Sequence, residues 1–138
     1  MRLAGKIGRN MRGGETIELV SDLGGGKTAF VRGLANGMGS RDTVRSPSFT
    51  LSNQYRAGNR TLYHFDFHRL REPGIMRDEL AEILSDPQAV VAVEWAGIVD
   101  DVLPPARLTV RIAATAETER KFIFEYPDSL QYLIPANT

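Results

Sequence analysis

Apolar residues recur at two different periods along this chain, and the switches between them divide it into elements. Over residues 1–12, Leu3, Ile7 and Met11 fall at helical spacing while Arg2, Lys6 and Arg9 lie elsewhere, which predicts an opening helix. Gly13-Gly14 ends it. Thr16 to Val20 is a short β-branched and apolar run and reads as a buried strand. After the turn at Gly24-Gly25-Gly26, residues 27–38 return to helical spacing, with Phe30, Val31, Leu34, Ala35 and Met38 on one stripe and Gly39 as the stop.

From Ser48 to Arg56 the period becomes two: Phe49, Leu51 and Tyr55 alternate with Ser48, Thr50, Ser52 and Gln54. Thr61 to Phe67 alternates again beyond the turn Ala57-Gly58-Asn59, so the two segments predict an antiparallel hairpin. Ile75 to Leu84 reads as a helix with Ile75, Leu80, Ile83 and Leu84 inward. Ala89 to Val93 is continuously apolar, as in a central strand covered on both faces. Arg107 to Ile112 and Lys121 to Tyr126 read as two late strands, and Ser129 to Leu133 as a last helical turn. Strand–helix alternation with an inserted hairpin predicts one α/β domain over residues 1–138 with a mixed sheet.

Composition narrows the chemistry. The chain has 138 residues, enough for a real core, and its 17 basic and 17 acidic residues leave no strong electrostatic footprint for DNA or RNA. No cysteine is present, which excludes disulfides, thiolate metal sites and cysteine nucleophiles. The longest apolar run, Ala89 to Val93, is far short of the roughly 20 residues of a membrane span. The start lacks the apolar stretch of a signal peptide, so the expected location is the cytoplasm.

The strongest chemical signal is Ser21-Asp22-Leu23-Gly24-Gly25-Gly26-Lys27-Thr28. It matches the phosphate-binding loop, Gly-x4-Gly-Lys-Ser/Thr, except that Ser21 replaces the leading glycine. Three consecutive glycines let successive N–H groups turn toward phosphate oxygens, and a helix starting near Lys27 aims its positive end at the same anion. Lys27 can reach the β- and γ-phosphates, and the Thr28 hydroxyl can ligate magnesium. A positive φ at Ser21 would strain a serine. With this loop between strand and helix, the expected fold is a P-loop NTPase-like three-layer domain whose mixed central sheet contains the hairpin.

Such a site needs carboxylates. Glu94 ends the apolar strand, where ligands gather in parallel sheets; the bland alternative is a strand-end glutamate facing water. Trp95 beside it either stacks near the site or packs in the core. In His64-Phe65-Asp66-Phe67-His68, period two puts His64, Asp66 and His68 on one face. Along one strand His64 and His68 lie roughly 13 Å apart, too far to share one metal, so Asp66 reads better as a phosphoryl-transfer carboxylate. Ser48 and Thr50 flank Phe49 after Pro47, where a switch sensing the γ-phosphate or an ordinary polar strand entry would equally fit.

Taken in order, Asp22 to Thr28, Phe30-Val31-Arg32-Gly33-Leu34, Ser46 to Leu51, Tyr63-His64-Phe65-Asp66 with Arg69-Leu70, Val93-Glu94-Trp95 and Leu103-Pro104 resemble the TsaE (YjeE) family over about residues 3–112. The resemblance implies a cytosolic ATPase using ATP/ADP and Mg2+, slow alone, that acts with TsaB and TsaD in making threonylcarbamoyladenosine in tRNA and meets tRNA only indirectly. By position it implies nucleotide contacts from Asp22, Leu23, Gly24, Gly25, Gly26, Lys27, Thr28 and Ala29. Thr28 and Glu94 would be the magnesium residues, Lys27, Asp66 and Glu94 the catalytic ones, Trp95 a functional neighbour, and Ser48 and Thr50 a switch or interface. The chain departs from the family pattern at Ser21, Ala29, Phe67-His68 and Ala96-Gly97. Two other readings use the same loop: a small-molecule P-loop kinase with Asp66 as base, and a non-catalytic nucleotide-binding adaptor.

Overall fold

The computed structural model describes residues 2–21, 25–40, 44–45, 52–67, 74–116 and 119–136. The continuous apolar run becomes a strand, Ala89–Glu94, buried at all six positions. In chain order the elements are helix α1 (Arg2–Asn10), strand β1 (Thr16–Ser21), helix α2 (Gly25–Met38), strands β2 (Val44–Arg45), β3 (Ser52–Ala57) and β4 (Arg60–Asp66), helix α3 (Gly74–Leu84) and strand β5 (Ala89–Glu94). A 3-10 turn (Ala96–Val99), strands β6 (Leu108–Ala116) and β7 (Glu119–Glu125), and a 3-10 segment (Asp128–Leu133) complete the described elements.

The seven described strands form one sheet in the order β2-β3-β4-β5-β1-β6-β7. The middle four, β4, β5, β1 and β6, run parallel. The others join antiparallel, and β3 pairs with β4 as the predicted hairpin, from Ser52 opposite Phe65 to Ala57 opposite Arg60. One face of the sheet is covered by α1, α2 and the closing 3-10 segment, whose Ile7, Phe30, Leu34 and Leu133 share a core with Leu62, Val90, Ala92 and Val110. The other face carries α3 and the 3-10 turn, with Leu80 and Val99 against Phe65, Phe67, Val91 and Val93. The three-layer, mixed-sheet expectation therefore holds. No helix among the described residues is long and apolar enough to cross a membrane.

Boundaries differ from the sequence expectation for local reasons. Helix α1 stops at Asn10, because the N–H groups of Arg12 and Gly13 donate to the Glu15 carboxylate instead of continuing the helix. Helix α2 starts at Gly25, so Lys27 and Thr28 are its third and fourth residues. Ser21 is a paired strand residue opposite Ile112, and Trp95 is the one described non-glycine residue with positive φ, so no strain falls on the serine. The last helical turn is 3-10 in type, with the Leu130 N–H bonded to the Pro127 carbonyl. Asp22, Leu23, Gly24, Ser48, Thr50 and His68 lie outside the described residues.

Two contacts fix the frame that holds α2. Helices α1 and α2 cross at glycines: a Cβ on Gly37 would overlap the Gly5 carbonyl and lie 2.8 Å from its Cα, and a Cβ on Gly8 would overlap the Leu34 carbonyl. Below them, buried Glu15 gathers the Arg12 and Gly13 N–H groups, each at 2.8 Å, and the Tyr132 hydroxyl at 2.5 Å. The Arg12 guanidinium lies over the Tyr132 ring, 3.9 Å from its centroid. Burial, then the Glu15 carboxylate, hold the Tyr132 phenol well above its ordinary value of 10.

Tyr132→Phe is expected to destabilise the fold by about 1.5 kcal/mol, since Glu15 keeps only its backbone donors. Because the folded phenol stays protonated where the unfolded one ionises, this contribution is fully present below pH 10 and declines as pH rises above it. Urea unfolding of both proteins across that range checks it: a difference that stays constant or widens above pH 10 contradicts the assignment.

Candidate functional site

The carboxyl ends of β4, β5 and β1 lie side by side. Leu19 and Asp66 are both opposite Glu94, on either side of it. Because β1 feeds α2, the first turn of that helix crosses the same end of the sheet. Alternation along β4 and β5 sends Phe65, Phe67, Val91 and Val93 to the α3 layer, leaving His64, Asp66 and Glu94 facing α2.

Three charged or polar side chains meet there. Lys27, His64 and Glu94 are each less than a tenth exposed. The Lys27 ammonium is 3.1 Å from Glu94 Oε1. The other carboxylate oxygen, Oε2, is 2.5 Å from His64 Nε2. Glu94 is thus turned into the protein and not toward water, and each oxygen has its own partner. With an ammonium on Oε1 the carboxylate is ionised and only accepts, so His64 Nε2 carries the hydrogen of that bond. Asp66, beside Glu94, is partly buried.

Trp95 is 60% exposed, which removes it from the core. Its backbone has φ 59° and ψ 50°, a left-handed conformation that costs a bulky residue on the order of 1 kcal/mol. The strain turns the indole across the site, with its ring centroid 5.8 Å from Lys27 Nζ, within cation–π range. Below it opens a cleft of about 260 Å³, lined by Glu18, Leu19, Val20, Ser21, Lys27, Trp95 and Ala96. Thr28 and Ala29 are exposed on α2, and Gly26 lies against Ile112 of β6, where a Cβ would meet Cγ2 at 3.1 Å.

The donor chemistry suits a phosphate with a hard cation. Lys27 is a compact cation for an anion, and the α2 N-terminus points the same way. Hydroxyl and carboxylate oxygens of Thr28, Glu94 and Asp66 are the ligand type magnesium prefers. Magnesium uses one or two carboxylates together with phosphate oxygens and water, so a cage of three protein acids is not required.

His64 is the residue that sequence reasoning undervalued. Period two placed it beside Asp66, but its contact with Glu94 depends on the parallel register that sets His64 opposite Ala92 and Asp66 opposite Glu94.

A strand β1 leading into α2, with the lysine of that helix against the terminal glutamate of the adjacent parallel strand, defines a P-loop α/β fold. The fold is similar to the crystal structure of Bacillus subtilis YdiB, with TM-score 0.68 and 28% identity, covering 96% of this chain and 82% of that one. The family model of the threonylcarbamoyl adenosine biosynthesis protein TsaE matches residues 1–122, and the chain belongs to this family. Among relatives described as tRNA threonylcarbamoyladenosine biosynthesis protein TsaE, that of Bacillus subtilis strain 168 is 37% identical over 80% of this chain and 69% of its own length. That of Haemophilus influenzae is 32% identical over 70% of this chain, which spans 61% of that relative.

Proposed function

We propose that this TsaE-family chain is a magnesium-dependent ATPase subunit of the cytoplasmic machinery that makes threonylcarbamoyladenosine in tRNA. It would act with a TsaB–TsaD-like pair and meet tRNA only through those partners. The observation that carries the reading is the buried Lys27–Glu94 pair, set where β1 passes into α2. A buried ammonium held by one carboxylate oxygen is poised to exchange that partner for a phosphate.

Each residue has a distinct task. The backbone of residues 22–26 and the α2 N-terminus bind phosphate oxygens, and Lys27 neutralises the β- and γ-phosphates. Thr28 and Glu94 would hold magnesium, which when bound offsets negative charge on the transferring phosphoryl group. Asp66, next to Glu94 in register, orients the attacking water. Trp95 covers the mouth of the cleft beside Lys27. The chain's zero formal net charge supports leaving tRNA to the partners.

The test is ATP hydrolysis by the purified chain, alone and with the TsaB–TsaD pair and tRNA, beside Glu94→Ala. Slow turnover alone, a rise with the pair, and a loss of roughly a hundredfold or more in Glu94→Ala are expected. A pair that changes nothing while ATP still binds contradicts the coupled role. Tight binding without turnover under any condition indicates an adaptor, and a phosphorylated acceptor indicates a kinase.

A further inference from the structure

The two oxygens of Glu94 have different kinds of partner. The Oε1 partner, Lys27, sits on the first turns of α2 beside the phosphate loop, where an incoming phosphate competes for it. The Oε2 partner, His64, sits within a central strand between Leu62 and Phe65, both fully buried, and has no such competitor. A phosphate can therefore release one oxygen of the carboxylate without releasing the other.

We infer that His64 is a positioning residue that fixes Glu94 through Oε2, so that Oε1 trades the Lys27 ammonium for magnesium when nucleotide binds. The inference rests on the functional reading above and adds how its carboxylate is kept in place during the exchange. Without His64, phosphate would draw Lys27 away and leave Glu94 free to rotate in its side-chain torsions, so the cation would have to order it. With His64, the carboxylate plane is held in one orientation by a partner that stays. Residues that orient metal-binding groups in this way commonly contribute tenfold or more to metal affinity.

The geometry also says which substitutions separate positioning from mere filling of space. In glutamine the amide nitrogen reaches about where Nε2 of histidine lies, so His64→Gln can still donate to Oε2. Asparagine is one methylene shorter and cannot, although it is equally polar. Alanine removes the donor and the ring together.

The experiment uses the full chain as wild type, His64→Ala, His64→Asn and His64→Gln. Intrinsic fluorescence of Trp95, the only tryptophan, reports binding of ADP and ATP first with chelator present and then as magnesium is added back. Thermal unfolding checks that each variant is folded. His64→Ala and His64→Asn are expected to bind magnesium-free nucleotide within about twofold of wild type, yet to need roughly tenfold or more magnesium for half-saturation. His64→Gln should return most of that shift. An unshifted magnesium requirement, an equal loss in magnesium-free binding, or glutamine no better than asparagine overturns the positioning role. If the wild type itself binds no nucleotide, the functional reading falls first and this inference with it.

Discussion

Lys27→Ala is expected to lower ATP hydrolysis by roughly a hundredfold or more and, as a separate effect, to destabilise the fold by about 3 kcal/mol. The first effect follows, on the proposed function, from losing the charge that would meet the phosphates. The second follows from burial. Lys27 and Glu94 are 6% and 5% exposed, so removing the ammonium leaves an ionised carboxylate inside the protein with His64 as its remaining identified partner. The two effects separate in the double variant Lys27→Ala with Glu94→Gln, which removes the stranded charge. Its urea-unfolding stability should recover by more than half while hydrolysis stays as low as in Lys27→Ala. A double variant no more stable than Lys27→Ala would show that the ion pair is not the source of the stability loss. The fluorescence of Trp95 gives a third readout, since its ring loses the ammonium 5.8 Å away.

Gly37→Ala should be almost as damaging without touching the site. The added Cβ has nowhere to go, because the opposing atoms are the backbone carbonyl and Cα of Gly5, not the end of a side chain. Overpacking of this kind costs about 3 kcal/mol, and the gain in helix propensity of about 1 kcal/mol offsets only part of it. Gly5→Ala is the control. Its Cβ would meet the Gly33 carbonyl at 3.9 Å, an ordinary contact, so that variant should be neutral or slightly stabilised. Thermal or urea unfolding of the two variants decides the matter, and equal behaviour would mean that the glycines do not set the helix approach. Since α2 carries Lys27, pushing the helices apart should also weaken nucleotide binding in Gly37→Ala.

Much of the fold was legible because its signals are local. The apolar run at Ala89 to Val93, the stripe from Phe30 to Met38 and the alternation around Phe65 and Phe67 each reflect neighbours within a few residues. The same holds for Gly26-Lys27-Thr28, whose meaning lies in consecutive backbone geometry. What escaped depends on residues far apart in the chain. His64 meets Glu94 only because β4 and β5 pair in one particular register. Gly8 and Gly37 carry no local signal, and only the crossing of α1 and α2 shows why a side chain is excluded there. Trp95 looked as well suited to the core as to the site, and only its left-handed backbone shows that it is turned outward. Glu15 gave no signal, since a carboxylate satisfied by two backbone amides and a tyrosine from the other end of the chain has no sequence pattern.

The place of β1 in the sheet has a temporal side. Thr16 pairs with Val91, and Ile17 with Leu108, so the strand leading into the phosphate loop has neither neighbour until most of the chain exists. At ribosomal speeds of roughly 5–20 residues per second, the strand waits on the order of seconds for its partners. Local elements can form meanwhile, among them the β3–β4 hairpin and the α1–α2 pair. The end of the sheet that brings Lys27, His64 and Glu94 together cannot form before β5 has emerged, and β1 stays open on its other side until β6 arrives. A nascent chain therefore carries the phosphate-loop sequence long before it carries the site.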